Sequence, residues 1–283
     1  MHKMMLHSFF SFLLGALLAA STADGLAQDA RAGNVQDPTT GVGGDSKNTQ
    51  SAVTMFKRAE DQRYWISGQA NIIFQGRLPF HSPYEGPNTF RNSAEYKTSM
   101  VETLYTAFRR SRSVRYNTDF ILDVESAGGR GLSEALGLAG FTNLDVVRNP
   151  NLGSKPYIAR YGIHQVIGLT NKTTSQEPNT FALASSVPER RVEVRVGKMT
   201  LPDFFDANSV GSDSHLQFMN WTVDNNGAWD YAADTRGYTV GGMAEYDDRG
   251  WSLRYGLFAM PTVANGIDMD WAFSRAHGRW SCC

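Results

Sequence analysis

The chain lacks any apolar run long enough to span a membrane as a helix. After the N-terminal region, its 283 residues contain no stretch of about eighteen consecutive apolar side chains, which such a helix requires. Its formal net charge is only −1, so it also lacks the basic surplus that a nucleic-acid-binding protein shows. These two absences exclude a helical membrane protein and a nucleic-acid partner.

Cysteine is almost missing as well. The two cysteines, Cys282 and Cys283, are adjacent and are the last two residues of the sequence. Adjacent cysteines at that position cannot link distant parts of a fold, so we expect no internal disulfide.

The common catalytic signatures are also missing. The sequence has no Gly-x-Ser-x-Gly turn, no glycine-rich phosphate loop after a strand, and no histidine pair spaced for zinc. Asp123 and Glu125 could act as the acid/base pair of a polysaccharide lyase or hydrolase, but two carboxylates in the wall of a polar channel are the favoured interpretation. We therefore expect no enzyme, no cofactor and no metal site.

The first 27 residues have the pattern of a secretory signal peptide. Lys3 gives a basic start, and the apolar run over 9–20 is followed by small residues. That run is too short to cross a bilayer, as in cleavable signals. Residues 28–50 are rich in Gly, Asp, Asn, Thr and Gln, which predicts a disordered lead over 28–63 with a possible short helix at 52–62.

Segments of about ten residues with alternating apolar and polar side chains are the main positive feature of the chain. A strand of that length crosses the hydrocarbon of a bilayer at a tilt. Seven such segments can be counted from Tyr64 onward, and the clearest are 117–126, 190–197, 237–247 and 251–260.

The fifth segment shows the alternation best. Val192, Val194 and Val196 share one face, and charged residues alternate with them on the other. One aliphatic face and one charged face are what a β-barrel with a wet lumen and a lipid-facing wall requires.

The connections between these segments alternate in length. Long connections follow the odd-numbered strands, with the longest over 200–236, and shorter ones follow the even-numbered strands. Asp248-Arg249-Gly250 predicts a tight hairpin before the last strand. Outer-membrane barrels have long extracellular loops and short periplasmic turns, so this order predicts a periplasmic N-terminus.

Charged side chains of the third and fifth strands form the first group of candidate functional residues. Asp119, Asp123 and Glu125 share a face of the third strand, and residues 191, 193 and 195 share a face of the fifth. We expect opposed acidic and basic rows that create a field across the lumen and orient dipolar solutes.

The second group lies in the stretch 198–231, where carboxylates and amides alternate with aromatic rings. Rings stack on the apolar faces of sugars, while Asp, Asn and Arg bind their hydroxyls. This composition favours a sugar-binding loop. The alternative is a long loop packed by its own aromatic side chains, with no ligand.

These motifs resemble the carbohydrate-selective outer-membrane porin family. The resemblance covers about 64–271 and is carried by Gly197-Lys198, by the Asp-Phe-Phe-Asp-Ala-Asn string at 203–208, by the Gln-Phe-Met-Asn-Trp string at 217–221, and by the Asp123 to Gly129 segment. It implies a barrel of about sixteen strands that passes sugars by diffusion, with an arginine-lined constriction and loops folded inward.

The end of the chain departs from that family pattern. Seven strands are an odd number and too few for such a pore, and residues 279–283 lack the usual final amphipathic strand with a terminal aromatic. We therefore expect a truncated or frame-shifted porin. Its fold is an all-β, antiparallel transmembrane barrel, here an incomplete N-terminal portion of about seven strands over 64–283.

The expected function is passive diffusion of carbohydrates and other small hydrophilic solutes across the cell outer membrane, with sugars or oligosaccharides and outer-membrane lipid as partners. The alternatives are a soluble exported carbohydrate-binding β protein and a carbohydrate-active enzyme. The residues predicted to line the pore or contact the solute are Asp119, Asp123, Glu125, Arg191, Glu193, Arg195, Lys198, Asp203, Asp206, Asn208, Trp221, Trp229, Asp230 and Arg254.

Overall fold

The computed structural model describes residues 62–111, 113–146, 153–176, 179–208, 211–212, 214–215, 217–225, 229–264, 266–272 and 280–282. The predicted signal peptide and all but the last two residues of the predicted lead lie outside these ranges. Within them, no helix combines the length and the apolar character needed to cross a membrane.

Antiparallel strands make up most of the described chain, which confirms an all-β fold. Seven of them are 8–15 residues long and coincide with the seven predicted segments, whereas β5, β6 and β10 have three residues each. The strands are β1 (Tyr64–Arg77), β2 (Glu95–Arg109), β3 (Tyr116–Gly129), β4 (Tyr157–Gly168), β5 (Thr173–Ser175), β6 (Ser186–Pro188), β7 (Arg190–Met199), β8 (Thr239–Asp248), β9 (Trp251–Phe258) and β10 (Trp280–Cys282).

Helical structure is limited to short pieces in the long loops. Two 3-10 turns, Leu132–Ala135 and Gly137–Thr142, follow β3. The four-residue helix α1 (Trp221–Asp224) lies between β7 and β8, and the side chain of Asn220 caps its first turn by accepting from the N–H of Thr222.

The strands form one open sheet in the order β1-β2-β3-β4-β7-β8-β9-β10, with β5 and β6 paired separately. Every neighbouring pair is antiparallel. β1 and β10 form the two ends of the sheet and do not pair with each other in the described residues. The predicted hairpin joins β8 to β9, and Gly250 has a φ of 112°, which glycine adopts at no steric cost.

One face of the sheet, called the outer face below, carries exposed apolar side chains. On every long strand except β8, large apolar residues that are exposed alternate with residues of the opposite face. They are Tyr64, Ile66, Ile72, Phe74, Tyr96, Met100, Phe108, Tyr116, Phe120, Leu122, Ile158, Tyr161, Ile163, Val196, Trp251, Leu253, Tyr255 and Leu257. In the described strands, the charged residues of the outer face lie near strand ends, with the exception of Glu102 in the middle of β2.

The opposite face, called the inner face, is polar and buried. Asp119 is fully buried, Asp123 is 1% exposed, and Arg191 and Glu193 are each 4% exposed. A water-soluble sheet with one solvated face buries its apolar side and exposes its polar side. The distribution here is the reverse.

A two-stranded ribbon covers part of the inner face. This inner ribbon consists of β5, β6 and the described residues 179–185 between them. Leu183 is 1% exposed and packs against Trp65, Tyr105 and Ala107. Because the link between β4 and β7 folds inside the sheet, it is longer than an ordinary turn.

The start of the loop after β7 also lies on the inner face. Leu201 and Phe205 pack against Met243 of β8 and Phe258 of β9 in one apolar cluster. Met243 and Phe258 interrupt the polar pattern of the inner face because they contact this loop. The described part of the loop therefore folds inward, as the porin resemblance implies.

Tyr238 differs from its expected position. Strict alternation along the predicted segment 237–247 would place it with Val240 on the outer face, but it is 6% exposed and its hydroxyl donates to Glu125 on the inner face, at 3.0 Å. Tyr238 precedes the first residue of β8, so the strand's alternation does not extend to it.

Candidate functional site

A cavity of about 1380 Å³ lies on the inner face at the end of the sheet where the long loops are. Pockets for small molecules usually measure about 300–1,000 Å³, so this cavity has room for more than one sugar unit. Strands β1 to β4, the tip of the inner ribbon and the loops before β8 form its wall. The aromatic side chains that line it include Phe181, Trp221, Trp229, Tyr231 and Tyr238.

Glu125 of β3 lies in the wall of this cavity and is held by hydroxyl groups. It accepts hydrogen bonds from the hydroxyls of Tyr157, Tyr238 and Thr103, the last two at 3.0 and 3.2 Å. The side chain is nearly buried, at 8% exposure. Uncharged hydroxyl groups of β2, of β4 and of the residue before β8 therefore fix the orientation of Glu125, which the sequence analysis had predicted as a site residue.

A β-bulge in β4 brings two further side chains to the cavity. Asp123 pairs with Arg160 but the next residue, Val124, pairs with Ile158, which leaves Ala159 as an extra residue. Without the extra residue, Tyr157 and Arg160 would point to opposite faces, because side chains alternate along a strand. With it, both line the cavity.

Arg160 links the wall to the inward-folded loop. Its guanidinium donates to both carboxylate oxygens of Asp203, at 3.0 and 3.3 Å, and lies 5.2 Å from the centre of the Phe181 ring. Burial raises the pKa of the Asp203 carboxyl, and the nearby Arg160 charge opposes that rise. Loop, strand and inner ribbon therefore meet at one guanidinium.

Asp145 and His215 connect two loops across the mouth of the cavity. His215 Nε2 lies 3.0 Å from Asp145 Oδ2, and Asn71 and Ser214 also donate to this carboxylate. Burial acts to raise the pKa of Asp145, but the hydrogen bond and charge of His215 outweigh it and hold the pKa below its usual value. A backbone hydrogen bond from Leu144 to the Met219 carbonyl reinforces the contact.

A second group of buried charges lies nearer the short turns. His164 of β4 sits between two carboxylates, with Nε2 2.8 Å from Glu193 and Nδ1 3.6 Å from Asp119. Glu193 also pairs with Arg191 and Arg195 of its own strand. Each charge in this network has a partner on the same wall.

The charged rows therefore differ from their expected arrangement. We expected the acidic row of β3 to oppose a basic row of β7 across the lumen. The two strands are instead separated only by β4, whose His164 bridges them, and the Arg191 charge is paired with Glu193 and Asp247. The rows form ion pairs within one wall because sequence spacing does not show which strands are neighbours.

The cavity brings together six of the fourteen predicted residues. Glu125, Asp203, Asn208, Trp221, Trp229 and Asp230 line it. The other eight do not: Asp119, Asp123, Arg191, Glu193, Arg195, Lys198, Asp206 and Arg254. Of these, Arg254 pairs with Glu245 at 2.8 Å, and Lys198 donates to the Ile158 carbonyl at 2.9 Å.

Several cavity residues were missed by the sequence analysis. Arg160 and Tyr157 depend on the bulge at Ala159, which leaves no clear sequence signal. Asp145 and His215 are separated by 70 positions in two loops without periodicity. Arg236, whose guanidinium lies 3.7 Å from the centre of the Tyr157 ring, follows the long loop before β8.

In the described ranges, no group of three or more His, Cys, Asp or Glu side chains is arranged to hold a metal ion. Comparison of the chain with protein-family models, with curated proteins and with solved structures finds no match. The resemblance to the porin family therefore stays a prediction.

Proposed function

We propose that the described strands form part of the wall of an outer-membrane pore through which carbohydrates and other small hydrophilic solutes diffuse passively. The observation that supports this most is the reversed distribution of side chains, with an exposed apolar outer face and a buried charged inner face. A sheet with lipid on one side and polar contents on the other needs that distribution.

The height of the apolar face agrees with a bilayer. Tyr64 and Phe74 lie ten residues apart on β1, which corresponds to about 33 Å along the strand and to about 25 Å across a membrane at a tilt of about 40°. The outer band of such barrels is about 25 Å tall.

Paired aromatic rings mark both limits of this band. Near the short turns, the rings of Tyr246 and Trp251 lie 5.2 Å apart. Near the long loops, Phe74 and Tyr96 stack at 6.3 Å. The amphipathic rings of Tyr96, Tyr246 and Trp251 at these two levels suit the headgroup regions.

The open edges of the sheet impose a requirement on this proposal. Unpaired backbone groups do not occur against lipid, because each costs several kcal/mol there. A pore therefore requires that β1 and the strands at the opposite end pair with further strands, including those of other copies of the chain, and close the wall.

The cavity supports sugars as the solutes. Trp221, Trp229 and Tyr231 offer ring faces, and Asn208 and Asp230 offer groups that bind hydroxyls. The cavity alone would also suit a soluble exported carbohydrate-binding protein. The exposed apolar outer face favours the pore, since soluble proteins rarely expose so large an apolar surface.

Fractionation and electrical recording together test the proposal. We expect the full chain to sediment with outer membranes, to need detergent for extraction, and to conduct ions in planar bilayers with a current that added oligosaccharide reduces. Recovery in the aqueous periplasmic fraction with sugar binding retained would instead support the soluble alternative. Membrane insertion without any current would contradict the pore.

A further inference from the structure

The cavity carries more acidic than basic side chains. Among the described residues, its basic lining side chains are Arg160, Arg236 and His215, and none is a lysine. The carboxylates that line it are Glu125, Asp145, Asp203, Asp224, Asp230 and Asp234.

Three of these carboxylates have cationic partners. Asp203 pairs with Arg160 at 3.0 Å, Asp145 lies 3.0 Å from His215, and Asp234 lies 3.9 Å from Lys198. Arg160 also lies 3.9 Å from Asp123 on the neighbouring strand β3, so its single positive charge is divided between two carboxylates. The positive charge of Arg160 is therefore offset by the carboxylates of Asp203 and Asp123.

Glu125 and Asp230 add negative charge without such compensation. Glu125 accepts from three neutral hydroxyls, and neither residue forms an ion pair with a lysine or arginine of the described chain. Arg236 opposes them from its position against the Tyr157 ring. One such guanidinium does not balance both carboxylates.

The arginines that the sequence assigned to the pore field do not alter this balance. Arg191 and Arg195 lie outside the cavity and pair with Glu193, and Arg191 also pairs with Asp247. Their positive charge is therefore cancelled within the wall, and the cavity field is set by its own carboxylates.

We infer that the cavity prefers sugars that carry a positive charge, the protonated amino sugars, over neutral sugars, and disfavours acidic sugars. This rests on the proposed passage of sugars through the same cavity. An ammonium group donates three hydrogen bonds to carboxylates such as Glu125 and Asp230, and the ring faces of Trp229 and Tyr231 attract cations as well. A carboxylate on the sugar meets like charge in a confined space.

Binding of three trisaccharides to the full chain in detergent micelles tests the inference. The probes are a glucosamine trimer, its N-acetylated counterpart, and a galacturonate trimer, measured by titration calorimetry near pH 6. We expect affinity to fall in that order and the difference between the first two to shrink as salt is raised.

Substitution identifies the groups responsible. Glu125→Gln keeps the shape of the side chain and removes its charge, so we expect the preference for the glucosamine trimer over its N-acetylated form to fall about tenfold. The matched control, Glu102→Gln, makes the same change on the outer face and should leave the preference unchanged. Asp230→Asn, at an exposed position, should act in the same direction as Glu125→Gln, which covers the case of a Glu125 variant that does not fold.

The outcomes separate this inference from the proposed function. Equal affinity for all three trimers, or tightest binding of the galacturonate trimer, overturns the charge preference and leaves sugar binding intact. An absence of binding by every trimer contradicts sugar recognition itself. Loss of preference in the Glu102→Gln control would place the effect outside the cavity and would also overturn the inference.

Discussion

The outer and inner faces of the same strands differ in the direction opposite to that of a water-soluble sheet. On β3, Leu122 is 43% exposed while its neighbour Asp123 is 1% exposed, and on β9, Leu253 is 51% exposed while Arg254 is ion-paired on the inner side. At both pairs of positions the charged side chain lies on the inner face and the leucine is exposed. The comparison shows that an apolar face remains exposed after the strands have folded, which is the arrangement that the proposed contact with lipid requires.

Two neighbouring residues of β7 provide the largest expected difference between the faces. Glu193→Ala should destabilise the folded chain by about 3–5 kcal/mol, because it removes the buried carboxylate that pairs with His164, Arg191 and Arg195. Val194→Ala should cost less than about 1 kcal/mol, since a lipid-facing side chain leaves no cavity in the protein. Urea unfolding of the two variants in lipid vesicles measures both. In a soluble sheet the order would be reversed, so a larger loss for Val194→Ala would break the comparison.

The second largest loss of stability is expected for a substitution in the inner ribbon, whose contacts with the inner face are apolar. Leu183→Ala should cost about 3 kcal/mol, because the side chain is enclosed by Trp65, Tyr105 and Ala107. The matched change Leu169→Ala removes the same atoms at a position that is 48% exposed, and should cost far less. The same urea experiment compares them. Equal losses would mean that the ribbon does not pack inside.

A charge on the outer face gives a somewhat smaller effect that depends on lipid. Leu122→Arg should cost about 2–3 kcal/mol in a bilayer, since a cation near the middle of the lipid face is desolvated. A solvent-exposed position in a soluble protein changes by at most about 0.5 kcal/mol. Tyr116→Arg, at the turn end of the same strand, is the control and should cost under about 1 kcal/mol. Indistinguishable values for the two variants would argue against lipid contact at Leu122.

The smallest expected effect concerns pH and the loops over the cavity. The pKa of Asp145 is lower in the folded chain than its ordinary value near 3.9, so its ionised form stabilises the fold. That contribution is fully present above about pH 4 and is lost as pH falls through the lowered pKa. We expect the stability difference between the wild type and Asp145→Asn to shrink on going from about pH 6 to about pH 2. A difference that stays constant would show that the carboxylate is not coupled to folding.

The strands and their faces could be predicted from the sequence because alternation is a local property. The valines of β7 alternate with charged residues, the leucines and aromatic residues of β9 share one face, and seven strands were placed within a few residues of their ends. The sugar-binding composition of the loop also identified Trp221 and Trp229, which line the cavity.

The neighbours of each strand residue could not be predicted in the same way. The bulge at Ala159, which turns Arg160 and Tyr157 into the same cavity, adds one residue to an otherwise regular strand. The inner ribbon carries Leu183 in a link with no periodicity, and Asp145 meets His215 only through the folding of two loops. Contacts between distant segments decide all three, and a single sequence does not contain them.

Collision accessibility of adjacent positions on β9 tests the lipid-facing wall most directly. A spin label is attached at a cysteine replacing Leu253 or Arg254 in the full-length chain, with Cys282 and Cys283 replaced by serine. The labelled protein is reconstituted in vesicles, and the relaxation of the label by oxygen or by a water-soluble nickel complex is measured. We predict that the label at 253 responds to oxygen, which concentrates in lipid, and that the label at 254 does not respond in this way. Equal response at both positions to the nickel complex, or the opposite pattern, would contradict a wall with lipid on its outer face.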